Sequence, residues 1–289
     1  MKQSFLMVVL TFCVFSQYTF SQETVETPEK YTAHNKGKFF IFWGGNRESF
    51  SKSDIHFKGA DYDFTIYNVE AHDKPKGYHI DYVNPRRMTI PQTNFRIGYF
   101  INDHYNISIG FDHMKYVMDQ YKRVSYSGYY PNDINQSSAL NGYYNENPTA
   151  NELTLDRDFL EFEHTDGLNY ILTEISRVDD MSSYLGLPNT DKFQVNLTEG
   201  IGTGILLPKT NSTLLSKDNN DEFHVAGYGL SAKVGLNLTF FKYFFLQAEL
   251  KGGYINMNDI RTTKDPIDKA SQDFWFFQRM IVVGGIFRI

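Results

Sequence analysis

The chain has 289 residues, a formal net charge of −6 and a mean hydropathy of −0.42. Its acidic balance provides no basic stripe for phosphates, which argues against nucleic-acid binding. Cys13 is the only cysteine, so an internal disulfide is excluded.

The first residues have the order of a secretory signal peptide. Lys2 is followed by an apolar run from Phe5 to Phe15 and then by a more polar stretch that ends near Gln22. We therefore predict a signal peptide over residues 1–22, a short periplasmic segment over 23–37 and a single domain over 38–289. Cleavage would remove Cys13, and the mature chain would have no thiol nucleophile or cysteine metal site.

No later segment contains the roughly 20 consecutive apolar residues that a membrane-spanning helix needs. Aromatic residues make up 16% of the chain, with 25 Phe and 20 Tyr, which favours a β-barrel over an ordinary soluble domain. A barrel strand hides its apolar residues from hydropathy averages by alternating them with polar ones. The predicted fold is an all-β, transmembrane, antiparallel up-and-down barrel in the cell outer membrane.

Ten segments have the alternation or composition of strands. In chain order they are Lys38–Gly45, Asp61–Val69, Phe95–Ile101, Tyr105–Asp112, Phe159–Thr165, Leu168–Arg177, Phe193–Leu207, Val225–Phe240, Phe244–Lys251 and Asp273–Ile289. The last resembles the C-terminal strands that outer-membrane proteins present to the barrel-assembly machinery, which is the partner it implies during biogenesis. The long connection from Asn132 to Asp158 is predicted to be a surface loop.

Twelve strands is our preferred count, and ten is the alternative. Tight turns of such barrels usually face the periplasm, so the strands that end at Ile101 and Phe240 should carry even numbers. One additional strand before Phe95 and another between Asp112 and Val225 satisfy this condition. Asp54–Lys58 or Tyr78–Val83 would supply the first, and Tyr121–Tyr130 the second.

Charged residues on the polar faces of two predicted hairpins fall close together. Arg96 is diagonal to Asp112 in one hairpin, and Lys233 is opposite or diagonal to Glu249 in the other, with Lys251 on the same face. A narrow barrel fills its lumen with side chains, and buried charges there must be paired. We interpret these five residues as a lumen charge network that plugs the barrel.

Histidine and aspartate recur together in four places. The pairs are Asp54 with His56, His72 with Asp73, Asp112 with His113, and His164 with Asp166. Their spacing matches no zinc or calcium motif, and polar residues accumulate at strand ends where water reaches them. We therefore predict no metal and no cofactor.

The segment FEHTDGLNY, from Phe162 to Tyr170, resembles the His-x-Ser strand of outer-membrane lipid A deacylases. In that family the histidine activates the serine as acyl acceptor. Asp166 stands where the serine should be, and an aspartate cannot simply replace it. The resemblance makes His164 and Asp166 the candidate catalytic residues if the chain is an enzyme, and a lipid A-modifying hydrolase stays open as one alternative.

Two further strings, SKSDIHFKGADYDFT (Ser51–Thr65) and GFDHMKYVM (Gly110–Met118), resemble an uncharacterised family of Bacteroidetes-type outer-membrane barrels. That resemblance implies a fold and a location, with outer-membrane lipid and lipopolysaccharide as partners, and assigns no activity. We favour a structural or interaction barrel with surface loops over a small channel or transporter and over the hydrolase. The oligomeric state is left open.

Overall fold

The structure, a computed structural model, describes residues 34–77, 81, 91–130, 152–157, 159–187, 190–215, 217 and 219–289. The predicted signal peptide, most of the segment 23–37, most of the loop Asn132–Asp158 and most of the candidate strand Tyr78–Val83 lie outside these residues. No helix long and apolar enough to cross a membrane occurs in the described ranges.

Sixteen β-strands form in the described residues, and all of their pairings are antiparallel. In chain order they are β1 Phe39–Phe50, β2 Ser53–Lys58, β3 Asp63–Val69, β4 Ala71–His72, β5 Thr93–Phe100, β6 Tyr105–Met114, β7 Val117–Met118, β8 Arg123–Tyr129, β9 Glu152–Thr154, β10 Leu160–Glu163, β11 Leu168–Asp180, β12 Phe193–Pro208, β13 Asn211–Leu214, β14 Gly227–Phe240, β15 Phe244–Arg261 and β16 Lys269–Phe287.

Eight of these strands close into a barrel. The order of neighbours is β1, β5, β6, β11, β12, β14, β15 and β16, and β16 pairs again with β1. The seam between the first and last strands is continuous from Phe39 opposite Phe287 to Phe50 opposite Phe276. Closure leaves the ring without an open edge, as a spanning sheet requires.

Strict alternation along the strands turns apolar side chains outward. On β14 the exposed positions include Tyr228, Leu230, Val234 and Leu236, whereas Asn237, the residue after Leu236, is buried inside. The same period of two holds on β15 and β16. The exterior of the barrel is therefore apolar, whereas the inward-facing side chains of β14 are small or polar, the reverse of a soluble protein.

Two short turns lie at one end of the barrel, between β5 and β6 and between β14 and β15. Phe240 pairs with Phe244, so the turn is Phe241–Tyr243, and Phe241 and Lys242 both have positive φ. The chain from Asn102 to His104 makes the corresponding turn between β5 and β6. Because short turns face the periplasm in such barrels, we assign this end to the periplasm and the opposite end to the cell exterior.

The exterior end carries a folded head rather than loops alone. Strands β2, β3, β8 and β9 extend the main sheet from the outer part of β16, through pairs such as Lys269 opposite Lys58. A second sheet has the order β13, β10, β7 and β4. A buried aromatic cluster fills the head, in which Phe57 lies 5.2 Å from Phe64 and 5.5 Å from Phe162 between ring centroids.

Twelve strands, the count preferred for the barrel, form the main sheet, but eight of them make up the wall and four belong to the head. Asp54–Lys58 and Tyr121–Tyr130, the two segments added by parity, correspond to β2 and β8. Both are in the head, where they pair beyond the ring. Phe159–Thr165 corresponds to β10 and belongs to the second sheet, and the short β9 completes the twelve.

Candidate functional site

The middle of the lumen contains six ionisable side chains. They project inward from five strands, and each is at most 6% exposed. Three cations and three carboxylates balance in formal charge, which lowers the cost of burying them. This lumen charge network comprises Arg96 of β5, Asp112 of β6, Glu174 of β11, Lys233 of β14, and Glu249 and Lys251 of β15.

Glu174 is the central member of the network because it contacts all three cations. The Nε atom of Arg96 lies 2.7 Å from its Oε2, and the Nζ atom of Lys233 lies 3.1 Å from the same oxygen. Lys251 Nζ lies 2.8 Å from Oε1. A single carboxylate thus joins side chains from three different strands.

The remaining contacts extend the network to both sides of Glu174. Asp112 accepts from Arg96 at 2.9 Å and from Lys251 at 2.8 Å, and Lys233 lies 3.3 Å from Glu249. The Arg96 guanidinium also donates to the backbone carbonyls of Phe95 and Phe111, at 2.8 and 3.0 Å. The N–H groups of Arg96 therefore donate their hydrogen bonds to other atoms of the protein.

All five residues proposed from the sequence lie in this network. Arg96 pairs with Gly110 and is diagonal to Asp112, and Lys233 pairs with Lys251 and is diagonal to Glu249. The sequence reasoning missed Glu174, although its strand was predicted. A signal existed, because three cations and two carboxylates leave one charge unbalanced in a buried site.

A layer of amides lies above the network, toward the cell exterior. Asn94 donates to Asp112 and accepts from Asn46 Nδ2 at 2.9 Å. Gln278 Nε2 donates to Glu48 Oε1 at 2.8 Å, and Gln92 donates to the other oxygen of Glu48. These side chains continue the filling of the lumen toward the head.

An apolar cluster lies below the network, toward the periplasm. The Arg96 guanidinium lies 5.9 Å from the ring centroid of Phe42, which is the contact between the two layers. Buried side chains from four strands form the cluster, namely Phe40, Phe42, Phe100, Phe245, Met280 and Val282. Amides, charges and aromatic rings thus fill successive levels of the lumen.

The four histidine–aspartate pairs of the sequence do not converge. His56 contacts Asp63 at 2.8 Å across β2 and β3, and His72 contacts Asp119. His113 contacts Asn169 at 2.7 Å, while its neighbour Asp112 points into the lumen. The described ranges contain no group of three or more His, Cys, Asp or Glu side chains that could hold a metal.

His164 and Asp166 are directed to different partners. His164 Nδ1 lies 3.1 Å from Thr210 Oγ1, and its ring packs 5.0 Å from Phe162 between centroids. Asp166 is exposed and lies 3.4 Å from Lys209 Nζ. Burial in this apolar part of the head lowers the pKa of His164 to about 3, so the ring is neutral at physiological pH.

The apolar exterior, the charged middle of the lumen and the closed ring of eight antiparallel strands define the class. This inside-out arrangement is the fold of outer-membrane β-barrels. The chain is thus an outer-membrane barrel with a folded head at its exterior end.

No protein-family model matches the chain, and no curated protein matches it. Among solved structures, it is similar to the N-terminal barrel domain of Pseudomonas aeruginosa OprF, with 12% identity, a TM-score of 0.30, and 87% and 98% of the two chains covered. The outer membrane protein OprG of Pseudomonas aeruginosa gives 10% identity, a TM-score of 0.36, and coverage of 89% and 99%. Ail of Yersinia pestis gives 10% identity, a TM-score of 0.28, and coverage of 87% and 99%.

Proposed function

We propose that this chain is a non-conducting barrel that holds a rigid head on the cell surface for contact with surface partners. The filled lumen is the observation that carries the proposal. The charge network crosses the middle of the barrel, and the periplasmic part is filled by buried apolar side chains together with buried amides such as Asn196, Asn237 and Gln247. A conduction path would need water at every level, and the burial of Glu174 and Lys251 leaves none at the middle level.

The head supports the second half of the proposal. Its aromatic cluster is packed as in a soluble domain, and β15 and β16 run directly from the wall into it. A head joined through continuous strands presents its outer surface in a fixed orientation, which suits contact with a partner. The separated positions of His164 and Asp166 give no support to the hydrolase alternative.

Conductance across a planar lipid bilayer tests the lumen. Purified chain should leave the current at the level of a protein-free bilayer over a range of voltages. Migration on unheated gels and flotation with liposomes verify that the barrel is folded and inserted. Stepwise currents from folded, inserted protein would contradict the proposal and favour the channel alternative.

Cysteine labelling on intact cells tests the position of the head. The predicted mature chain has no cysteine, so Lys264→Cys, between β15 and β16, introduces a single thiol at the head. Lys242→Cys places the matched thiol in the turn Phe241–Tyr243. A membrane-impermeant maleimide should label the first variant and not the second until the cells are opened. If only Lys242→Cys were labelled on intact cells, the barrel would have the opposite orientation in the membrane.

A further inference from the structure

A pair of carboxylates lies above the lumen charge network, where the wall meets the head. Glu48 is on β1 and is 4% exposed, and Asp73 directly follows β4 of the second sheet. The Nε2 atom of Gln92 donates to an oxygen of each carboxylate, and the backbone N–H of Glu48 donates to Asp73 at 3.1 Å. Two acceptors of one amide nitrogen lie about 5 Å apart. The two negative charges are therefore close neighbours.

No cation of the described residues compensates this pair. Glu48 and Asp73 form no ion pair within the described ranges, whereas the lumen charge network below them is balanced. The two lysines that follow Asp73 have other partners, because Lys74 lies 3.3 Å from Glu163 and Lys76 contacts Asp81. Since two like charges in a shielded site are costly, the pair needs a proton or a positive ion from solution.

Two further oxygens beside the carboxylates have no donor. The Oε1 atom of Gln92, which is fully buried, and the Oδ1 atom of Asn46, which is 1% exposed, have no hydrogen-bond partner in the part of the chain that the structure describes. Asn46 is two residues before Glu48 on the same inward face of β1. It follows Gly45, which pairs with Thr93, so it lies opposite Gln92. A cation would satisfy these buried oxygens together with the carboxylates.

We propose that Glu48 and Asp73, with the amide oxygens of Gln92 and Asn46, bind one Ca²⁺ ion. Ca²⁺ takes carboxylate, amide and water oxygens in a flexible shell, and its two positive charges balance the two carboxylates. Turning the Gln92 amide about its last bond exchanges Nε2 for Oε1 between the carboxylates. An all-oxygen ligand set suits a hard cation and does not suit zinc or copper.

The ligands come from three separate parts of the chain, so their spacing matches no metal motif of the sequence. An ion held by them would tie β1 of the wall to the segment after β4 and to the residue before β5. The site lies above the charge network and does not depend on the proposed function of the lumen or the head.

Calcium binding to the purified, folded mature chain tests the site. The chain is refolded in a non-ionic detergent without lipid or phosphate, stripped of metal with EGTA, and dialysed to equilibrium against calcium chloride or magnesium chloride. The variant Glu48→Gln with Asp73→Asn removes both charges and keeps the shapes of the side chains. Gln92→Met removes the amide oxygen and keeps both carboxylates, so it tests the site even if the double variant fails to fold. Migration on unheated gels reports folding of every variant.

The matched control removes two carboxylates of the head that already have cationic partners. It is Glu70→Gln with Asp63→Asn, because Glu70 lies 2.6 Å from Lys52 and Asp63 lies 3.5 Å from Lys58. Its change of charge equals that of the test variant. A general loss of electrostatic attraction would therefore weaken Ca²⁺ binding equally in both.

The wild-type chain should bind Ca²⁺ with a dissociation constant of about 0.1 to 1 mM, the range of extracellular sites, and should bind Mg²⁺ about tenfold more weakly because Mg²⁺ needs a tighter octahedral shell. The double variant Glu48→Gln with Asp73→Asn should bind Ca²⁺ more weakly by about tenfold or more, Gln92→Met by a smaller factor, and the control as the wild-type chain does. Absence of saturable Ca²⁺ binding, equal binding of Mg²⁺, unchanged binding by the folded double variant, or tighter binding by Gln92→Met would each overturn the proposal.

Discussion

Replacing Lys251 by methionine is the sharpest test of the lumen charge network. Lys251 is fully buried, and its Nζ atom lies 2.8 Å from oxygens of both Asp112 and Glu174. At an effective dielectric constant of 20, each contact is worth about 6 kcal/mol of gross attraction, most of which offsets the desolvation of the ammonium group. The substitution also changes the network from balanced to a formal charge of −1.

We expect Lys251→Met to lower the free energy of unfolding by about 3 kcal/mol, near the lower end of the usual range for breaking a buried pair. The lower end applies because Asp112 keeps Arg96, and Glu174 keeps Arg96 and Lys233. Adding Asp112→Asn restores the balance of charge. The double variant should therefore lose less than the sum of the two single losses, by about 1 to 2 kcal/mol.

Urea unfolding in lipid vesicles, followed by tryptophan fluorescence, measures these differences. The chain has two tryptophans, and both Trp43 and Trp275 lie on the barrel wall. Lys58→Met is the matched control, because Lys58 is an exposed lysine of the head that lies 3.5 Å from Asp63. The free energy of unfolding of Lys58→Met should be close to that of the wild-type chain. A loss below about 1 kcal/mol for Lys251→Met, or strictly additive losses in the double variant, would refute the reasoning.

Two further predictions concern the head and the wall. The pKa of His164 is about 3 in the folded chain and about 6.5 in the unfolded chain, so between these pH values only the unfolded chain binds a proton at this residue. The contribution of neutral His164 to the free energy of unfolding is therefore full above pH 6.5 and is smaller by about 2 to 3 kcal/mol at pH 4.5. Urea unfolding of His164→Gln at pH 7 and at pH 4.5 should show a smaller loss of stability on acidification than the wild-type chain shows. A loss equal to that of the wild-type chain would contradict this prediction. Val234 lies midway between Phe240 and Tyr228 on the outward face of β14. Val234→Arg should lower the free energy of unfolding in vesicles by about 2 to 4 kcal/mol, and Tyr228→Arg, near the rim, by about 0 to 1 kcal/mol. Equal costs at the two depths would contradict the assigned membrane level.

Alternation was sufficient to predict the wall but not to separate it from the head. Val225–Phe240 alternates because lipid contacts one face and the lumen the other. The strand β3 alternates because one face packs into the aromatic cluster and the other meets water. Both surroundings produce a period of two. In the structure β2 and β3 are shorter, with six and seven residues against eight to nineteen for the wall strands. The predicted segments did not show this difference, because Asp61–Val69 has nine residues and Phe95–Ile101 has seven.

The lumen charge network was partly predictable for a related reason. Arg96 with Asp112, and Lys233 with Glu249, are neighbours within single hairpins, so register alone brings them together. Glu174 reaches the same site from β11, which no short hairpin joins to β5 or β14. Contacts between strands distant in sequence depend on ring closure, and local periodicity does not contain that information. Strands β4 and β7, with two residues each, are too short to leave a pattern.

The seam between β1 and β16 has a consequence for biogenesis. Phe39 pairs with Phe287, so β1 has no partner on that side until β16 has been made. Joining ends separated by nearly the whole sequence carries a large loop-closure entropy, and contacts of such long range form slowly. During that interval β1 and β16 expose unpaired backbone groups that template aggregation. The barrel-assembly machinery, which the sequence predicts as a partner during biogenesis, would act on the chain at this step.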